Sequence, residues 1–243
     1  PFKLIINCKK GPIHQLGIGV RADTEEIVSV LLNIGLNTHK LHGHMYDFTG
    51  KIGANPYFRL HWSYDLPKMP TINASASLRW TDMNMLDFGN NRLNLSFLNA
   101  KQEVYLSNIK WNRLDIKGGF RNEIIDIRNI RSTQIIGNYD FDQLSNDFMS
   151  LFVDGRTDTF DDGYFPTRGV SAGLSYSWTF AGFPHWFDNF HTLAADAKVV
   201  VPIGDIFAFI PSFDCRFLLG DNVPVPFFNA VGGSLPSRYL DHQ

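Results

Sequence analysis

Val170-Ser171-Ala172-Gly173-Leu174-Ser175-Tyr176-Ser177-Trp178-Thr179 reads with a period of two. Val170, Ala172, Leu174, Tyr176 and Trp178 fall on one side, and Ser171, Gly173, Ser175, Ser177 and Thr179 on the other. Side chains of an extended chain alternate between faces, so this pattern describes a strand with one apolar and one polar face. The segments that follow repeat it. Leu193, Ala195, Ala197, Val199 and Val201 oppose Asp196 and Lys198; Phe207, Phe209, Phe213, Cys215, Phe217 and Leu219 oppose Asp214 and Arg216.

The first half alternates in the same way. Leu16, Ile18 and Val20 oppose Gly17, Gly19 and Arg21; Phe58, Leu60, Trp62 and Tyr64 oppose Arg59, His61, Ser63 and Asp65. Ile72, Ala74, Ala76, Leu78 and Trp80 oppose Asn73, Ser75, Ser77 and Arg79, and Leu114, Ile116 and Phe120 oppose Asp115, Lys117, Gly119 and Arg121. About thirteen such segments emerge, many near the roughly 9–11 residues that cross a membrane as tilted strands. The span from Asn122 to Asp147 is less regular, with Ile124-Ile125 and Ile135-Ile136 side by side. It reads as a strand end, a loop and another strand. No repeat or linker divides the chain, so residues 1–243 form one domain.

A soluble β-sandwich also alternates and stays as the alternative. Two features favour a membrane barrel. The polar face carries Arg, Lys, Asp and His besides Ser, as a wet lumen does. The apolar face is a series of large side chains with aromatics near strand ends, including Trp178, Phe180, Phe183, Trp186 and Phe187, and Phe207 and Phe209. Such girdles lie at the membrane–water interface. The fold class is therefore all-β, an antiparallel transmembrane β-barrel.

Composition fits. Phe occurs 21 times and Met 5 times, a bias towards strands. A formal net charge of -2 gives no electrostatic ground for binding nucleic acid. No apolar run approaches the roughly 18 residues of a membrane helix. Cys8 and Cys215 each alternate with apolar neighbours and read as small hydrophobes, with a disulfide as the lesser alternative.

A turn motif precedes the opening stretch: Asp158-Thr-Phe-Asp161-Asp-Gly-Tyr-Phe165-Pro166-Thr167-Arg-Gly169. Pro166 presets φ and Gly169 tolerates a positive φ. The string resembles the Asp-x-x-Asp…Phe-Pro-Thr-x-Gly signature of the outer-membrane assembly superfamily, which includes the bacterial BamA barrel. Downstream, Phe227-Phe-Asn-Ala-Val-Gly232-Gly233-Ser234 and Ser237-Arg238-Tyr239 resemble that superfamily's sixth extracellular loop, which carries Val-Arg-Gly-Phe/Tyr. Here Ser237 replaces the Val and Tyr239 stands where Gly is usual. With Gly19-Val-Arg21-Ala-Asp23-Thr-Glu25-Glu26, these stretches look like the C-terminal barrel of bacterial patatin-like phospholipases of the Bacteroidetes type.

That resemblance implies an outer-membrane location and a barrel of about sixteen strands, preceded by a patatin hydrolase and a POTRA-like module. It implies that the hydrolase and the last strands lie outside this sequence, so that the chain alone does not close a barrel. It also implies that the loop bearing Gly232, Gly233 and Arg238 folds into the lumen and that Arg238 meets an acid there; inward-facing Asp196 and Asp214 are the candidates within this sequence. The role expected is to anchor or export the hydrolase. A BamA-like assembly barrel and a passive pore are the alternatives. Expected partners are outer-membrane lipid, a second copy in a homodimer, or another chain completing the barrel.

No catalytic, cofactor-binding or metal residue is assigned. Gly169-Val-Ser171-Ala-Gly173 fits Gly-x-Ser-x-Gly, yet that elbow needs a strand, a sharp turn at Ser and a helix. Ser171 instead opens a strand, and Asp154-Gly155 and Asp162-Gly163 lie upstream of it. His39-x-x-His42-x-His44 sits between strands with no carboxylate fixed beside it. Asp196, Lys198, Asp214 and Arg216 are expected on the lumen wall, where such charges usually pair with one another.

Overall fold

In a computed structural model, residues 14–22, 28–38, 43–86, 92–132, 146–162, 166–183, 189–204, 207–221, 223–224 and 227 are described. They form twelve strands: β1 (Gln15–Arg21), β2 (Ser29–Asn37), β3 (Gly43–Ile52), β4 (Tyr57–Asp65), β5 (Thr71–Leu86), β6 (Arg92–Trp111), β7 (Leu114–Ser132), β8 (Asn146–Asp158), β9 (Gly169–Phe183), β10 (Phe190–Ile203), β11 (Phe207–Phe209) and β12 (Ser212–Leu219). Each pairs antiparallel with its sequence neighbour from β1 to β11, and β12 pairs with β10. Nothing joins β1 to β12 among the described residues, so the sheet has two open edges.

The expected strand from Phe207 to Leu219 is interrupted. Pro211 has no N–H to give a ladder, and its carbonyl instead accepts the Val199 N–H at 3.1 Å. Phe207–Phe209 and Ser212–Leu219 consequently meet β10 as two pieces, at Val201–Ile203 and His191–Lys198. The alternation survives the break, and Phe207, Phe209, Phe213 and Phe217 are all exposed on one face.

That face is the outer one. Leu16, Leu60, Val104, Leu174 and Phe213 are exposed on it, Phe213 to 60%. Trp178 is exposed there too, and Cys215 is a free thiol on the same row of β12. Ser63, Asn73, Ser150, Ser171 and Thr179 are buried on the opposite face, where Arg59, Arg79, Asp196 and Arg216 are half-buried. A sandwich would bury the aromatic series and expose the charges; this sheet does the reverse, as a wall between lipid and a wet lumen requires.

The connections divide the sheet into two ends. Residues 38–42, 66–70, 112–113, 159–168 and 204–206 link strands at one end, and 22–28, 53–56, 87–91, 133–145 and 184–189 at the other. At the short-turn end Asn112 holds a positive φ of 59° in the two-residue link between Trp111 and Leu114. At the other end β6 runs to 20 residues and β7 to 19, well beyond what a bilayer needs. β7 continues through the irregular stretch after Asn122 as far as Ser132, and Ile135-Ile136 lie outside the described residues.

Candidate functional site

Two regions of the wall carry most of the polar chemistry. The first is the turn between β8 and β9. The Asp161 carboxylate accepts the Thr167 N–H at 2.9 Å, the Thr167 hydroxyl, and the Arg168 N–H at 3.2 Å. Arg168 Nε lies 3.9 Å away. Asp158 accepts the Phe160 N–H at 2.9 Å, tightening the turn's entry. Thr159 ties entry to exit: its N–H donates to the Val170 carbonyl, and its hydroxyl accepts the Val170 N–H at 2.9 Å. Gly169 has φ +125°, and a Cβ there would lie 2.5 Å from the Thr159 carbonyl oxygen. Asp158, Asp161, Thr167 and Gly169 thus act as one latch, in which Pro166 precedes the key donor. Phe165 lies outside the described residues.

The donors around Asp161, the Thr167 hydroxyl first and then the backbone N–H groups, stabilise its charged form. They hold its pKa down at about 2 against slight desolvation. The turn is open to solvent, so water screens this effect.

The second region is the inner wall. On β6–β8 every directly opposed charge pair is opposite in sign, and the sign inverts from row to row. Lys101 faces Glu123 and Glu103 faces Arg121. Lys117 faces Asp154 and Asp115 faces Arg156. Arg121 Nε reaches Glu103 at 2.6 Å and its guanidinium lies 4.6 Å over the Phe152 ring; Lys117 reaches Asp154 at 3.2 Å. Beside them His61 Nε2 lies 3.2 Å from Asn73 Oδ1 and 3.3 Å from the Tyr105 hydroxyl. Asn73 spends its amide hydrogens on Thr71 O and Ser107 Oγ, so its Oδ1 accepts and Nε2 carries the hydrogen.

Asp196, Lys198, Asp214 and Arg216 fall on one face of the sheet, the face opposite Phe213. Lys198 is level with Ser171 and Asp196 with Gly173, and across the next ladder Asp196 faces Asp214. Arg216 lies one inner position from Asp214, and Lys198 Nζ is 6.0 Å from the Phe160 ring centre. Asp196 fills the space over Gly173, where an added Cβ would meet its Oδ1 at 2.4 Å. It makes no hydrogen bond or ion pair among the described residues. Arg238, Gly232 and Gly233 lie outside the described residues.

The alternation did not reveal an apolar seat at the long-loop end of this otherwise polar face. Phe97, Ile125 and Phe148 are buried there, with Ile127 packed alongside. Phe190 is buried too, and Phe227 sets its ring 5.0 Å from both Phe148 and Phe190, nearly edge-on to the first. Gly220, at φ +152°, turns the chain out of β12 where a Cβ would lie 2.7 Å from Phe190 Cβ. The segment after β12 therefore begins by folding over the inner wall. The one sequence cue was Ile124-Ile125, which makes both faces of β7 apolar.

Ser171 is buried within β9, between Asp158 and Lys198 on its flanking strands, and it is not on a strand-to-helix turn. His44 is on the outer face beside Tyr64, while His39 and His42 lie outside the described residues.

Twelve antiparallel strands with an apolar exterior, a charged interior and a chain folding over the inner wall define a membrane β-barrel wall. The chain belongs to the OMP85 superfamily, which it matches over residues 60–239, and that membership puts the barrel in the bacterial outer membrane. Its fold is similar to that of BamA from Haemophilus ducreyi lacking POTRA domains 1–3, with a TM-score of 0.73 and 13% sequence identity. That likeness covers 93% of this chain and 46% of the BamA chain, so this chain spans less than half of that protein's length. No curated protein matches the sequence.

Proposed function

We propose that this barrel is the membrane-embedded part of an outer-membrane protein that carries or exports a patatin-type lipid hydrolase domain lying outside these 243 residues. The observation carrying the reading is the order and spacing of Gly163–Gly169 and Gly232-Gly233…Arg238-Tyr239-Leu240, with Ser237 and Tyr239 replacing the usual residues of assembly barrels. The inner wall supports a scaffold over a selective pore. On β6–β8 its charges alternate and neutralise across strands, whereas ion selection uses rings of one sign. The edges of β1 and β12 need strands from elsewhere, because unpaired backbone groups in lipid cost several kcal/mol each. Further residues of the same protein, a second copy or another chain supply them.

The second reading, a BamA-like assembly barrel, is favoured by a fold likeness covering 93% of the chain. One experiment separates the two. The full-length protein, reconstituted in phospholipid vesicles, is assayed for fatty-acid release beside a Ser171→Ala variant. Release that is unchanged by the substitution supports the hydrolase reading. Absence of release, with loss of other outer-membrane barrels on depletion, replaces it with the assembly reading. Release abolished by Ser171→Ala overturns both.

A further inference from the structure

The outer face carries a depression that a smooth barrel wall does not need. It runs across β2 to β7 and holds about 780 Å³, within the roughly 300–1,000 Å³ of small-molecule sites. Ala74 and Ala76 form its floor; Leu60 and Trp62 rise on one side, and Val104 and Phe120 on the other. Gln102 and Asn122, cross-strand neighbours, close the far corner. Five inter-strand spacings of roughly 4.8 Å make it about 24 Å long.

A polar cluster adjoins it at the short-turn end. Tyr46 and Trp62, which line the depression, both stack on His44, and His44 stacks on Tyr64 with ring centres 4.5 Å apart. The Trp62 indole N–H points at His44 Nδ1, 3.2 Å away. An indole nitrogen only donates, so Nδ1 accepts and the hydrogen of the neutral ring sits on Nε2. Thr38 holds the strand start, its N–H donating to the His44 carbonyl at 2.9 Å and its hydroxyl accepting the His44 N–H at 3.0 Å. The result is a fixed N–H donor on exposed His44, whose ring is flanked by the stacked rings of Tyr46 and Tyr64.

We propose that this depression is a binding site for one glycerophospholipid of the leaflet at the short-turn end. One acyl chain lies over Ala74 and Ala76, and the phosphate oxygens accept from His44 Nε2–H and the hydroxyls of Tyr46 and Tyr64. Lipid is the occupant because the face is the exterior of an outer-membrane barrel. A glycerophospholipid fits because apolar groove and donor cluster adjoin, joining a chain site to an anion site.

The full-length protein would be placed in phosphatidylcholine nanodiscs doped with phosphatidylglycerol carrying a photoreactive acyl chain, and labelled peptides located by mass spectrometry. Labelling is expected to concentrate on β4–β6. It should fall several-fold in Ala76→Phe and roughly tenfold in His44→Ala, the scale of one lost charge-assisted hydrogen bond. Ala197→Phe, on the outer face of β10, should leave it unchanged. Heat-modifiable gel mobility checks folding, and Ala76→Leu replaces Ala76→Phe if that variant misfolds. Even labelling around the belt, or labelling indifferent to Ala76, overturns the site. Equal labelling by a photoreactive diacylglycerol, or competition by inorganic phosphate alone, overturns the joint chain-and-phosphate recognition. A crosslink to a co-purifying protein in place of lipid overturns the choice of occupant.

Discussion

Charges on the inner wall follow opposite rules in two places. Across β6, β7 and β8 every directly opposed pair of charges joins an acid to a base, and Arg121–Glu103 closes to 2.6 Å. Across β10 and β12 two acids, Asp196 and Asp214, face each other. Like charges directly opposite destabilise a ladder, by a few tenths to about 1 kcal/mol. The first region is complete within its own strands. The second has an acid, Asp196, that makes no pair among the described residues and so leaves a place for a cation from elsewhere.

The two regions also use glycine differently, and this gives the largest predicted contrast. A Cβ on Gly119 would lie 2.2 Å from the Val104 carbonyl oxygen and 2.5 Å from Tyr105 Cβ, both close to backbone that cannot yield. A Cβ on Gly173 meets only the far end of the Asp196 side chain. Gly119→Ala should cost about 3 kcal/mol or prevent folding, while Gly173→Ala costs well under 1 kcal/mol as Asp196 swings aside. Urea unfolding in vesicles measures both, and equal effects would erase the contrast.

Glu103→Gln tests the matched region next. Arg121 is mostly buried and would lose its carboxylate, for an expected loss of about 1.5–3 kcal/mol. Adding Arg121→Met should restore much of it, because no unpaired charge then remains on the wall. If the double variant is as unstable as the single one, pairing does not hold this wall.

Asp196→Asn then has a sign that depends on what faces it. With no cation in place, the substitution relieves the like-charge pair and leaves stability equal or slightly higher. If Arg238 docks there, Asp196→Asn and Arg238→Ala each destabilise and the two together do not add, by roughly 1 kcal/mol. Arg238→Lys should rescue only in part, since it loses the planar fork. Additive effects would mean that Arg238 and Asp196 do not meet.

These contrasts show what alternation can and cannot report. It put Asp196, Lys198, Asp214 and Arg216 on one face and Phe213 on the other, because a strand between lipid and lumen has two unlike sides. It faltered after Asn122, where Ile125 and Ile127 face inward onto Phe97 and Phe148 while Ile124 stays outside. A period-two signal vanishes where both faces are apolar. The break at Pro211 was legible from proline's missing N–H, but strand pattern alone ran through it. The row-by-row sign inversion on β6–β8 depends on register, which needs the bulges at Ser96/Phe97 and Leu106/Ile109 to be known. The Asp161 turn was legible as a motif, but its hydrogen bonds were not.

The smallest effect belongs to that turn and depends on pH. Asp161 titrates at about 2 in the folded protein, below its ordinary 3.8, because Thr167 and the Arg168 N–H hydrogen-bond its charged form. A depressed carboxyl pKa contributes stability that is fully present above the unfolded value and lost as pH falls through the folded one. The contribution should therefore be constant at neutral pH and disappear between about pH 4 and pH 2. Asp161→Asn keeps the size and one acceptor but removes the charge, so its stability should not follow that part of the pH curve. Thr167→Val removes the hydroxyl donor named first among the causes and should shift the wild-type transition towards the ordinary carboxyl range. Urea unfolding of the vesicle-bound barrel at stepped pH reads both. Wild type and Asp161→Asn tracking each other from pH 5 to pH 2 would mean that the turn is held by Thr159 and Gly169 alone, and that the carboxylate only decorates it.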